Sequence, residues 1–198
     1  MSELTSNTVY FKEAGKINTA RTLGLALDRA RELNLRQVLV ASTNGDTGAM
    51  AAPMFKEFDL IVVSHSTGFR GPNTQELTDA NRSAILETGA KILTCQHAFS
   101  GVARAVRKKM NTYQLEDYIA FTLRMFGQGM KVAAEMALMA ADAGMLHVGE
   151  PTLCVAGTVY GADTALVLSP VNSDNFFELQ FLEIICLPAP GHPLFSRR

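Results

Sequence analysis

A three-layer α/β/α fold around a mostly parallel sheet is predicted from three features of the sequence. Short, continuously apolar segments alternate with helical patterns, each segment runs directly into glycine, hydroxyl or amide residues, and no linker interrupts the 198 residues. Strands that are apolar on both faces suit a parallel sheet covered by helices on each side, with room for an extra antiparallel strand late in the chain. One domain is expected over residues 1–198, with 1–7 and 189–198 as loose tails.

The elements follow in order. Asn18 or Thr19 caps a first helix in which Ala20, Leu23, Leu27 and Ala30 share a face. Gln37–Ala41 is a buried strand, followed by the turn Thr43–Gly48 and a short helix through Met50–Phe55. Leu60–Val63 is the second strand and ends in Ser64-His65-Ser66-Thr67-Gly68. Asn73 and Glu76 read as a capping pair for a helix to Thr88, which Gly89 stops. Lys91–Thr94 is the third strand, leading through Cys95-Gln96-His97 to a basic helical segment, Val102–Lys109. A long helical stretch, Leu115–Ala143, carries Gly127 and Gly129 in its middle, where it should kink or break. Thr152–Ala156, Thr164–Leu168 and Phe181–Leu187 complete the strands.

Composition narrows the function classes. The formal net charge is -1, from 18 basic and 19 acidic residues, so no general field holds a nucleic acid or an anionic membrane. Three scattered cysteines form no disulfide framework, which together with the absence of a signal-peptide pattern in Met1–Lys16 makes a cytoplasmic location the expectation. Val132–Met145 is the most apolar run, but it carries Glu135 and Asp142 and reads as a core helix. The expected partner is a small phosphorylated molecule, and homo-oligomer formation stays open.

Candidate binding residues sit where strands end, because ligands of open α/β sheets bind outside the carboxyl ends. In Thr43-Asn44-Gly45-Asp46-Thr47, Gly45 allows close backbone approach, the threonines offer hydroxyls and the following helix presents open amides, which together suit a phosphate. Asp46 is tolerable there only if it points away. The spacing fits neither a dinucleotide fingerprint nor a Walker loop, and a plain capped turn is the alternative. A second cluster, Gly157, Thr158, Gly161, Ala162, Asp163 and Thr164, reads either as a facing ligand loop or as a hairpin turn. Ser64, His65, Thr67, Gly68 and Phe69, with His97, are candidate pocket walls. Cys95 with a histidine would make a nucleophile, and a zinc site would need three or four close ligands; the spacing establishes neither, and no metal is expected. Arg104, Arg107, Lys108 and Lys109 form either a solvated helix face or an anion-attracting one, and Gln128 and Lys131 either line a pocket or flank a packing kink. No catalytic residue is assigned.

Ala30–Leu35 followed by Val38–Gly48 resembles the start of the C-terminal α/β domain of pyruvate kinase, and Gly157–Leu168 resembles that domain's second effector-facing loop. From Val9 to about Pro188 the chain resembles stand-alone pyruvate-kinase α/β-domain-like proteins, through Phe126–Gly129, Met139–Gly144 and Gly161–Leu166. The resemblance implies a pyruvate kinase C-terminal domain-like sheet of order 3-2-1-4-5. It implies no kinase activity, since that chemistry belongs to a separate barrel domain for which this chain has no room. It also implies flavin mononucleotide (FMN) as cofactor, held by its phosphate at the Thr43–Thr47 loop, with a flavin-dependent redox role open. The alternative is a non-catalytic effector-sensing module for a sugar phosphate or nucleotide. Asn44 and Asp46 depart from the small polar residues of many pyruvate kinases, so sugar-bisphosphate specificity does not carry over.

Overall fold

Why the apolar segments form a sheet is visible in β2 (Gln37–Ala41) of the computed structural model, which describes residues 3–196. Val38 and Val40 face one helical layer and Leu39 faces the other, and all three are fully buried. The neighbours β3 (Asp59–Ser64) and β5 (Thr152–Ala156) alternate in the same way. Each such side chain removed from water contributes roughly 1.5–3 kcal/mol.

One layer consists of α1 (Thr19–Glu32), α2 (Asp46–Met54) and α3 (Asp79–Leu86), which bury Leu23, Ala26, Ala51, Ala52 and Ile85 against the sheet. On the other face lies α6 (Gln128–Asp142), with Met130, Ala133, Met136 and Ala137 against Leu39, Ile61 and Cys154. Helix α5 (Leu115–Arg124) stacks outside α6 through Ala120, Ala134 and Leu138. A basic helix, α4 (Val102–Met110), precedes it and buries no residue.

The sheet has seven strands in the order β1-β7-β6-β5-β2-β3-β4, where β1 is Val9–Phe11, β4 Lys91–Thr94, β6 Thr164–Ser169 and β7 Gln180–Pro188. It is mixed but mostly parallel: β6 runs antiparallel to both β5 and β7, and the other pairs are parallel. This order differs from the expected five-stranded 3-2-1-4-5, because the sheet continues past β6 into β7 and an N-terminal edge strand, β1.

Two further expectations, both helix starts, are corrected. The helix after β3 starts at Asp79 with Thr78 as its cap, whose hydroxyl accepts from the Asn81 amide at 3.3 Å; Asn73 instead sits at φ 59° in a turn. Helix α2 begins at Asp46 rather than Met50. Of the two outcomes expected for Leu115–Ala143, a kink or a break, the structure has the break: α5 and α6 are separated at Gly127 (φ 124°, ψ 153°). In the expected C-terminal tail, Pro193–Ser196 form a short helix, α7. Most of the 1–7 tail is described without regular structure, and residues 1, 2, 197 and 198 lie outside the described range. No helix among the described residues is long and apolar enough to cross a membrane.

Chain direction locates the site. From β2 the chain turns through α2 to β3 on one face, whereas β5, on the other side of β2, is reached through α6 on the opposite face. The order therefore reverses between β2 and β5, and a crevice opens beyond their carboxyl ends.

Candidate functional site

A cavity of about 570 Å³ occupies this crevice, within the usual range of small-molecule sites. Its floor is the β2–α2 turn. Ser42 Oγ accepts the Gly48 amide at 2.9 Å and Asn44 Oδ1 the Asp46 amide at 3.3 Å, which fastens the turn. The amides of Asn44, Gly45 and Thr47 find no acceptor among the described residues. Amides at the start of a helix carry positive dipole character and suit an anion. Thr43, Asn44 and Thr47 line the cavity. Gly45 does not, and its role differs from the expected one: at φ 99° a side chain there would collide with Asn81, so glycine serves the left-handed turn and the packing on α3. Asp46 turns away from the cavity, taking hydrogen bonds from Asn44 Nδ2 at 3.0 Å and Asn81 Nδ2 at 2.9 Å, which hold its carboxyl below the usual range.

One wall is aromatic. His65, at the end of β3, lies 4.2 Å from Phe69 and 5.2 Å from His97 between ring centroids, and Phe69 stacks on His97 at 5.1 Å. The Arg104 guanidinium caps Phe69 at 4.4 Å, a cation–π contact. His65 Nδ1 is 2.8 Å from Glu76 Oε2, and Arg70 Nε donates to Glu76 Oε1 at 3.1 Å. Burial acts to raise the Glu76 carboxyl, but the bonds from His65 and Arg70 outweigh it and hold the pKa below its ordinary value. His97 takes the Ser66 amide on Nε2 at 3.3 Å, and burial lowers its pKa.

The opposite wall comes from α4, α5 and the start of α6. Five cationic side chains line the cavity, Arg70, Arg104, Arg107, Arg124 and Lys131, against two carboxylates, Asp117 and Glu135. Both carboxylates are engaged: Arg107 bonds Asp117 and Lys131 bonds Glu135. Lys131 and Glu135 are 6% and 5% exposed, and Glu135 Oε1 also accepts the Phe99 amide at 3.0 Å. Burial depresses the Lys131 ammonium and Glu135 opposes that shift. Arg104 and Arg124 have no carboxylate partner among the described residues. The surplus of positive charge gives the cavity a field that favours an anionic ligand.

No family model matches the chain. Among solved structures it is similar to a pyruvate kinase from Cryptosporidium parvum, at TM-score 0.38 and 10% identity, over 76% of this chain and 23% of that one. So loose a superposition reaches at most a distant likeness of fold, and no family follows from it.

The residues expected from the sequence divide into two groups. Thr43, Asn44, Thr47, Ser64, His65, Phe69, His97, Gly157, Thr158 and Gly161 line the cavity. Gly45, Asp46, Thr67, Gly68, Ala162, Asp163 and Thr164 do not; Thr67 and Gly68 border a shallower depression beside it. The segment after β5 is a hairpin connection to antiparallel β6, and its end is structural. Buried Asp163 accepts the Gly15 amide at 2.7 Å and the Thr164 hydroxyl at 2.9 Å, and the Ala162 amide donates to Thr19 Oγ at 3.0 Å. The rim of this hairpin includes Val159 at φ 61°, a conformation that costs a β-branched residue about 1–3 kcal/mol. Cys95 lies outside the lining, and burial raises its thiol, the opposite of what a nucleophile needs. Among the described residues no group of three or more His, Cys, Asp or Glu is placed to hold a metal ion.

Glu135, Asp117, Arg70 and Arg124 line the cavity without having been singled out as site residues. A signal existed for Glu135: with Lys131 it forms an i, i+4 pair inside an otherwise apolar helix. The others carry no local signature, since Arg107 and Asp117 meet only across the α4–α5 turn.

Proposed function

We propose that this protein binds a small phosphorylated ligand in the β2–β5 crevice, with the phosphate on the Thr43–Thr47 turn, and that the ligand is FMN. The observation that carries the reading is the coincidence of unclaimed amides at the start of α2 with a cavity of surplus positive charge. The residues fit the flavin. Thr43 and Thr47 would hold its phosphate, while the His65–Phe69–His97 wall and Val132, Met136 and Met139 offer a planar ring an aromatic and apolar slot. Bound flavin supplies redox chemistry, and the protein's part is to orient it and exclude water.

The second reading, a non-catalytic sensing module for a sugar phosphate or nucleotide, is favoured by Arg104 on α4 and Arg124 on α5, which line the cavity without a carboxylate partner among the described residues and offer a second anion site besides the amides of the turn. A ligand with two anionic ends would use both.

Titration of FMN into the protein, followed by flavin fluorescence, tests the first reading. Thr47→Glu should weaken binding about 100-fold or more through like-charge repulsion at the seat. A carboxylate in the first turn favours the helix dipole, so α2 should persist by circular dichroism. Unchanged affinity in that variant refutes the seat. Orthophosphate binding without FMN binding discards the flavin and keeps the seat.

A further inference from the structure

We propose that His65 is a phosphoryl acceptor, taking a phosphoryl group on Nε2 from a phosphorylated ligand seated at the start of α2 and passing it to water. The inference rests on the phosphate seat proposed above and does not depend on the flavin.

The imidazole is held as such a nucleophile must be. Its Nδ1 meets Glu76 Oε2 at 2.8 Å, and an ionised carboxylate only accepts, so the neutral ring carries its proton on Nδ1 and its lone pair on Nε2. Glu76 is itself fixed by Arg70 at 3.1 Å. Phe69 packs on the ring at 4.2 Å, and Gln75 Nε2 donates to the His65 carbonyl at 3.2 Å. Within one loop, then, Glu76 and Phe69 hold the imidazole, Arg70 holds Glu76 and Gln75 holds the His65 backbone, although the side chain is only partly buried. Nε2 points to Thr43 Oγ at 3.4 Å, beside the unclaimed amides of the β2–α2 turn. A phosphoryl group resting on those amides is thereby brought next to the lone pair, with Arg70 and Arg104 lining the same cavity to offset its charge.

The step balances without an added oxidant or reductant. The Nε2 lone pair forms the N–P bond as the P–O bond to the donor breaks, and that bond's electrons leave with the donor oxygen. Positive charge developing on the ring faces the Glu76 carboxylate. In the return step a water oxygen attacks phosphorus, the N–P electrons go back to Nε2, and orthophosphate departs as dihydrogen phosphate with the water's oxygen and both of its protons. Glu76 is a positioning residue: it sets the tautomer and touches no reacting atom.

Incubating the full chain with acetyl phosphate tests this, because its leaving acetate needs no proton. Mapping of peptides under alkaline conditions should find one phosphoryl group on His65, lost on acidification and absent from His65→Asn. In Glu76→Gln the labelling rate at saturating acetyl phosphate should fall about 100-fold, with the half-saturating concentration and melting temperature unchanged. A purely structural role for Glu76 would instead lower the melting temperature and leave the rate of the folded fraction alone. An unlabelled protein that still binds orthophosphate overturns the proposal and leaves the seat standing. An unlabelled protein that binds no orthophosphate overturns both. Label on any other residue overturns the assignment to His65.

Discussion

Lys131 and Glu135 stand one helical turn apart in α6 and share a nearly dry site at the edge of the cavity. Two charges out of water are tolerable only together, and Glu135 is further committed to the Phe99 amide. Glu135→Leu should therefore destabilise the protein by about 3–5 kcal/mol, because it strands a buried ammonium. Adding Lys131→Met should restore most of that loss, since an apolar pair of similar volume is often neutral. Urea denaturation of the two single variants and the double variant measures the coupling; strictly additive losses would mean that the pair does not act as a unit. This pair was half legible in the sequence. In the sequence Lys131 is a candidate pocket residue, whereas Glu135 stands out only as a charge inside the apolar run Val132–Met145. Lys131 is within reach of the i, i+4 rule, but the Phe99 amide that Glu135 also accepts lies in a loop remote in sequence, and no spacing rule reaches it.

At the scale of elements, the strands are the most legible, because apolar runs of four to six residues bounded by turn residues are too short for a helix. Helix starts are less so. Asn73 and Glu76 have the right spacing for a cap, but Glu76 is drawn instead to His65 and Arg70, and Thr78 takes over the capping. The two glycines between α5 and α6 also part company. Gly127 breaks the chain through its positive φ, while Gly129 lies inside α6 and presses on β6, where a methyl group would collide with Thr164. Gly129→Ala should thus lower stability by about 1–2 kcal/mol: overpacking costs about 1–3 kcal/mol and exceeds the roughly 1 kcal/mol gained in helix propensity. Chemical denaturation decides between the two terms, and a stabilised variant would show that α6 can shift away from the sheet.

For the whole molecule, the α/β class and the position of the cavity beyond the strand ends were both readable, since parallel strands with helices on alternate faces leave one place for a crevice. The sheet's full width was not. Strand β1 has three residues and owes its existence to parallel pairing with β7, a tertiary contact that local pattern does not encode. Nor could spacing separate a ligand loop from a hairpin at Gly157–Thr164. In the fold the segment is a hairpin whose first half lines the cavity while its second half ties down the N-terminal segment. The cationic wall is half legible: the basic run from Arg104 to Lys109 reads as either a solvated or an anion-attracting face, and only the fold brings Arg104 and Arg107 together with Arg124 around one crevice, a surplus that a net charge of -1 averages away.

The central claim concerns the backbone amides that the β2–α2 turn presents to the cavity, so amide proton and nitrogen shifts recorded while orthophosphate and then FMN are added test it most directly. Asn44 and Thr47 should move first and furthest with either ligand. If these two stay still while signals elsewhere respond, the phosphate is not seated at the β2–α2 turn.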